Sequence, residues 1–183
     1  NEKGRAPGQE GEEKTEVSLH KGIALGFLSL IELERPALVA HCRRVSRWAR
    51  ELGALGALSD QDMDELETAA LLHDIGFLSA SMASINSMAN DRSMDEKVKR
   101  HPLIGYSVLS KIPGFERIAE AALHHHERFD GSGYPKRLRG ESIPLFSRII
   151  SVADLFDLES HPVGISAPDV DVVRRKILQE RTR

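Results

Sequence analysis

The densest chemical signal in the chain is the dipeptide His73-Asp74. Imidazole nitrogen and carboxylate oxygen are the donors that divalent transition metals accept. Neighbours on a regular helix diverge by about 100°, but near a helix end the two side chains can converge on adjacent ions. A carboxylate has two oxygens, so Asp74 can bridge a pair of ions roughly 3.5–4 Å apart, the arrangement that activates water and clamps a phosphate in phosphoester hydrolysis. Alone, the dipeptide reads more readily as a packed histidine and a turn-capping aspartate. Its company shifts that weight. His41 lies beside an apolar helical face, His101 opens the run His-Pro-Leu-Ile-Gly, and His125-His126 precede Glu127. Asp154 ends the apolar run Arg148-Ile-Ile-Ser-Val-Ala-Asp, and a carboxylate in apolar surroundings is costly unless paired or metal-bound. Of 8 histidines, His41, His73, His101, His124, His125 and His126 sit in apolar-patterned or acidic segments.

The elements that must position these residues read as one helix after another. Residues 1–14 carry Gly, Glu and Lys without an apolar period and are expected to be a linker or disordered segment, leaving 15–183 as the domain. Helices are expected over Val17–Leu33 and Ala37–Leu52. Pro36 opens the latter, and its apolar face is Leu38, Cys42, Val45, Trp48 or Ala49, and Leu52. Ser59 is placed to cap a helix over Asp60–Leu72 whose early acids suit its positive end, and Gly76 ends it. Residues 77–92 are expected to form a loop, a short helix or a lid, with 79–92 as the part that would close over the site. Further helices are expected over Met94–Ile112 (with a break or junction at Pro102), Phe115–His126, Ile143–Leu158 and Asp169–Arg181. Asp130-Gly-Ser-Gly-Tyr-Pro135 between them is a turn-rich loop. No run alternates as a sheet strand would.

Composition narrows the classes of function. A length of 183 residues and an apolar fraction of 40% suit one domain with one core. A net charge of −3, with both signs mixed along the chain, leaves no basic face for a DNA or RNA duplex. One cysteine, Cys42, rules out an intrachain disulfide and fits a reducing compartment. The apolar run from Ile23 to Ile31 is too short to span a bilayer, and no cleavable signal opens the chain. A cytoplasmic domain with no membrane partner is expected.

The ordered set His41, His73-Asp74-Ile-Gly, His101-Pro, His125-His126-Glu127, Asp130-Gly-Ser-Gly-Tyr134-Pro135 and Asp154 resembles the HD-GYP phosphodiesterases, from about Pro36 to Asp157. The run HHERFDGSGYP followed by RIISVADLFD is highly specific. The resemblance implies an all-α bundle of the HD superfamily around a two- or three-metal centre. It implies hydrolysis of cyclic di-GMP to linear pGpG or GMP by a metal-bound hydroxide. Its ligands would be His41, His73, Asp74, His101, His125, His126 and Asp154, with Asp74 and His73 at the catalytic core. Iron or manganese would fit that donor set. The loop residues Asp130, Gly131, Gly133, Tyr134 and Pro135 would meet substrate or a partner such as a diguanylate cyclase (GGDEF) domain. Glu127 and Asp130 either support the paired histidines from behind or cap the loop.

Three departures from that pattern matter. Phe77 stands where the family carries a phosphate-reaching lysine, and a phenyl ring cannot donate to a phosphate. Ala37 stands one turn before His41, where three-metal members carry Glu, which points to two ions. The segment Leu158-Glu-Ser-His161-Pro-Val replaces one with basic residues, and the end of the chain looks truncated. Ligands are retained while substrate-gripping cations are thinned. Two readings follow: a cyclic dinucleotide hydrolase of reduced efficiency, or a metal-loaded module that senses a nucleotide or docks a protein. A hydrolase of another nucleotide is a third. An upstream regulatory domain or a homodimer would supply control.

Overall fold

The computed structural model describes residues 7–79 and 98–161, with side chains from Leu19 to Leu78 and again from Val98. Six α-helices order this part of the chain: α1 (Pro7–Glu32), α2 (Pro36–Leu55), α3 (Asp60–Leu72), α4 (His101–Leu109), α5 (Glu116–His124) and α6 (Leu145–Ser160). Short 3₁₀ turns cover Ile75–Ser79 and Gly140–Ser142. Among the described residues there is no strand, and no helix is long and apolar enough to cross a membrane.

Local chemistry sets the boundaries. Pro36 occupies the first turn of α2, where its missing N–H costs nothing. The Ser59 hydroxyl accepts from the Asp62 backbone N–H at 3.1 Å, and Asp60 and Asp62 lie at the positive end of α3. α3 is the central helix: every residue from Leu66 to Leu72 is buried, and it packs against α1, α2 and α5. α2 also packs on α6, and α4 packs on α5 and the first 3₁₀ turn. Leu28, Val39, Val45, Leu66, Leu72, Phe115, Ile118 and Ile150 fill the core. Alanines 69, 70, 119, 121, 122 and 153, all without exposure, let the helices approach closely. Three partly exposed or buried polar contacts tie the outside of α3: Lys21 and Arg50 both donate to the Glu67 carboxylate, and the Ser46 hydroxyl donates to the Glu67 carbonyl.

The structure corrects several expectations. α1 begins at Pro7, ten residues before the expected Val17. The expected 94–112 helix is interrupted: α4 starts at His101, with Pro102 in its first turn, so the proline marks a junction. α5 stops at His124, two residues early. On α2 the buried face includes Val39 and Ala49, while Trp48 keeps 36% exposure and rests edge-on against Phe156. The proposed lid beyond Ser79 and the helix over 169–181 lie outside the described residues.

Gly76 does more than end α3. A Cβ there would sit 2.7 Å from the His101 carbonyl carbon and 2.8 Å from the Gly105 nitrogen. The turn carrying His73-Asp74 therefore rests directly on the α4 backbone, and no flexible side chain can yield. Gly76→Ala should destabilise the protein by about 3 kcal/mol or more, the upper end for overpacking, as a fall in the urea midpoint. A midpoint within error of wild type would contradict this packing.

Candidate metal centre

Three of the histidines are built the same way. A helix leaves its last carbonyls without intrahelical partners, and each of these imidazoles folds back onto one. His73 Nδ1 lies 2.8 Å from the Ala70 carbonyl oxygen, His125 Nδ1 lies 2.7 Å from that of Ala122, and His101 Nδ1 lies 2.6 Å from that of Val98. A carbonyl only accepts, so each Nδ1 carries the proton and each Nε2 presents a lone pair. His73 and His125 stand at the C-terminal ends of α3 and α5. The three rings are fully or almost fully buried.

Those lone pairs meet at Asp74. Its Oδ1 lies 3.2 Å from His101 Nε2 and 3.6 Å from His125 Nε2; its Oδ2 lies 3.4 Å from His73 Nε2 and 3.8 Å from His41 Nε2. Two donor groups result, one of Asp74, His101, His125 and His126, the other of His41, His73 and Asp74. Asp154 Oδ1, 3.1 Å from His41 Nε2, adjoins the second. Every ligand expected from the sequence therefore converges on one place, and Asp74 is shared by both groups. His124 lies outside them, with Nε2 3.1 Å from Glu120.

His41 is held differently. Its Nδ1 donates to Asp157 Oδ2 at 2.8 Å, and Arg44 grips that carboxylate through two nitrogens at 2.6 and 2.9 Å. Asp157 is 1% exposed, so the charged pair fixes both the tautomer and the tilt of the ring. The sequence reading missed Asp157 and Arg44 as functional residues. The signal was present: each lies three positions beyond a candidate ligand, Asp154 and His41, and thus on the same helix face.

The electrostatics are those of a cation site. Burial opposes the Asp74 charge, but the imidazoles of His73, His101 and His125 around it hold its carboxyl well below the usual range. Burial, aided by neighbouring imidazoles, keeps His73 and His126 below the ordinary histidine value. Burial also lowers His41, but the Asp154 and Asp157 carboxylates outweigh it and raise its pKa to about 9. Burial first, then Asp74 and Asp154, pushes the Cys42 thiol up, so Cys42 stays protonated and is no ligand. His73 Nε2 is buried with no hydrogen-bond partner, and the Nε2 atoms of His101 and His125 face each other at 3.2 Å. Acceptors so placed repel unless a cation or a proton lies between them, so the donor set fits divalent metal.

The loop is tied to this cluster. Tyr134 stacks on His126, with centroids 4.9 Å apart at 24°. A Cβ on Gly133 would come within 2.6 Å of the Glu127 Cα, so the loop lies flat on the histidine turn. The buried Glu127 carboxylate accepts from the backbone N–H groups of Lys136 at 2.6 Å and Leu138 at 3.0 Å; of its two expected roles, it takes that of loop clamp. Asp130 accepts from the Ser132 N–H and hydroxyl at 2.8 and 2.6 Å, and Gly131 takes a φ of 82°. Both serve the turn. Phe77 stacks on the His101 ring, with centroids 4.1 Å apart at 18°, and Arg35 donates to the Phe77 carbonyl at 2.7 Å.

Residues 27–167 match the HD domain family. The chain is 42% identical over 131 residues to the cyclic di-GMP phosphodiesterase response regulator RpfG of Xanthomonas campestris pv. campestris, covering 69% of this chain and 34% of that protein. It is 35% identical over 136 residues to 3'3'-cGAMP-specific phosphodiesterase 3 of Vibrio cholerae, covering 74% and 30%. The chain thus spans about a third of the length of these curated relatives. In fold it is similar to the crystal structure of the V. cholerae cyclic GMP-AMP phosphodiesterase V-cGAP3, at a TM-score of 0.59 and 22% identity over 76% of this chain and 39% of that one. It is also similar to Bd1817 of Bdellovibrio bacteriovorus, described as an HDG"Y"P protein, at 0.59 and 19% over 93% and 66%.

Two outcomes follow from the geometry. Asp157→Asn keeps the shape but not the charge behind His41, and should weaken metal binding about 10–100-fold in competition with a fluorescent chelator; unchanged affinity would contradict the role given to Asp157. In metal-free protein the raised His41 pKa contributes stability that is full below about 6.5 and lost as pH rises through about 9. Denaturation midpoints of chelator-treated protein should therefore drop across that window, and the drop should vanish in His41→Gln.

Proposed function

The chain belongs to the HD domain family as an HD-GYP member, and on that premise we propose that it is a metal-dependent phosphodiesterase opening cyclic di-GMP to linear pGpG or GMP. The observation that carries this reading is the sharing of Asp74 between two imidazole groups, one oxygen turned to each. We assign His101, His125, His126 and Asp74 to one divalent ion, and His41, His73, Asp74 and Asp154 to a second, with iron or manganese suited to the donors. Such ions supply Lewis acidity and an activated water to a phosphodiester.

The chain's own residues do the rest. Asp74 stays ionised and buried, so its charge is available without protonation near neutral pH. The carbonyls of Ala70, Val98 and Ala122 and the Asp157 carboxylate hold the imidazoles ready, which removes reorganisation from the reaction. Phe77 covers one face of His101 and keeps water from it, but brings no positive charge to substrate. Relatives named for cyclic di-GMP and for 3'3'-cGAMP both match, so both nucleotides belong in the assay. A buried, protonated Cys42 suits a reducing compartment such as the cytoplasm.

A second reading rests on Phe77: a weakly active module that binds nucleotide or docks a diguanylate cyclase through the loop. The stack of Tyr134 on His126 favours a loop serving the metal site. Under anaerobic conditions with ferrous iron or manganese, wild type should hydrolyse cyclic di-GMP. Asp74→Ala should lose about 10²–10³-fold or more in rate and lose bound metal. Full activity in a metal-depleted Asp74→Ala protein would refute metal-dependent hydrolysis at this cluster; a folded, metal-loaded wild type without turnover on either nucleotide would favour the module.

A further inference from the structure

A cavity of about 630 Å³ opens beside the metal cluster, lined by Lys99, Arg100, Leu103, Tyr134, Pro135 and Arg137 among others. Its lining reaches the cluster through Tyr134, which stacks on His126, and Arg100 is the residue before His101. Among the described residues three cations line it and no carboxylate does, although the chain as a whole is acidic at −3. Neither Arg100 nor Arg137 forms an ion pair among the described residues. A volume of this order suits a nucleotide-sized ligand, and uncompensated guanidinium groups suit phosphate.

The backbone at Arg137 is a second, independent sign. Its φ is 56°, a left-handed conformation that an L side chain adopts only at a steric cost. The cause is visible: Glu127 accepts from the N–H groups of both flanking residues, Lys136 and Leu138. Glycine would satisfy that turn without strain. An arginine held there, in the lining of that cavity, is an outlier that points to use.

We propose that Arg100 and Arg137, with Lys99, bind the second, non-scissile phosphate of a cyclic dinucleotide whose scissile phosphate lies at the Asp74 cluster. The assignment rests on the phosphodiesterase reading for its choice of ligand. It also explains how Phe77 is tolerated. Phe77 brings no charge to substrate, and Lys99, Arg100 and Arg137 would supply it instead.

The test is equilibrium binding of cyclic di-GMP and 3'3'-cGAMP to the full chain in excess chelator, where no turnover occurs. Arg100→Ala/Arg137→Gly should weaken binding at least tenfold and flatten its dependence on salt; Arg100→Lys/Arg137→Lys should recover part of both. Arg137→Gly removes a strained residue, so its denaturation midpoint, equal to or above wild type, separates lost binding from lost folding. With metal restored, the loss should fall on KM far more than on kcat. Binding unchanged in the double variant, or no binding of either nucleotide to wild type, overturns the pocket. Turnover of bis(4-nitrophenyl) phosphate by wild type, a diester with one phosphate, tests the enzyme reading separately. If that fails while nucleotide binding needs Arg100 and Arg137, the pocket stands and the phosphodiesterase reading falls.

Discussion

A carboxylate buried among imidazoles sets the terms for everything around it. Asp74 is 8% exposed, and four imidazole Nε2 atoms lie within 3.8 Å of its oxygens. A charge in that position is unfavourable unless partners neutralise it. Lone pairs aimed at it are unfavourable unless cations lie between. The cluster is thus poor as a core and well made as a metal site. The local conflict is offset by the packing of α3 against α1, α2 and α5.

The helices supply more than a scaffold. A helix end normally leaves carbonyls to water; here the ends after α3 and α5, and the turn at Val98, spend them on fixing three histidine tautomers. The ring orientations of His73 and His125 are therefore consequences of where their helices stop. Gly76 completes the device, because only a residue without Cβ lets the His73-Asp74 turn lie on the α4 backbone at His101 and Gly105. On the far side, Gly133 and the Glu127 clamp press the loop onto the His125-His126 turn. Two glycine-mediated contacts thus hold the halves of the centre.

Much of this was legible in the sequence, for identifiable reasons. The seven candidate ligands stood out because five histidines and two aspartates interrupt apolar helical periods, and those interruptions are what the structure gathers at one point. Ser59 and Pro36 marked helix starts because capping chemistry is local. Asp157 and Arg44 were not read as functional because an acid and a base on helix surfaces look like solvated charges until the helices are packed. The break at Arg100 was blurred because Pro102 is tolerated both in a first turn and at a kink. The strain at Arg137 was invisible, since it arises from Glu127, ten residues earlier, chelating the backbone on either side.

The most direct test of the account is anomalous diffraction from crystals of the chain grown anaerobically with manganese. Two metal peaks are expected, roughly 3.5–4 Å apart, one on each oxygen of Asp74, the first reached by His101, His125 and His126 and the second by His41, His73 and Asp154. A single peak that does not touch Asp74, or two peaks without its carboxylate between them, would contradict the bridging role on which the account depends.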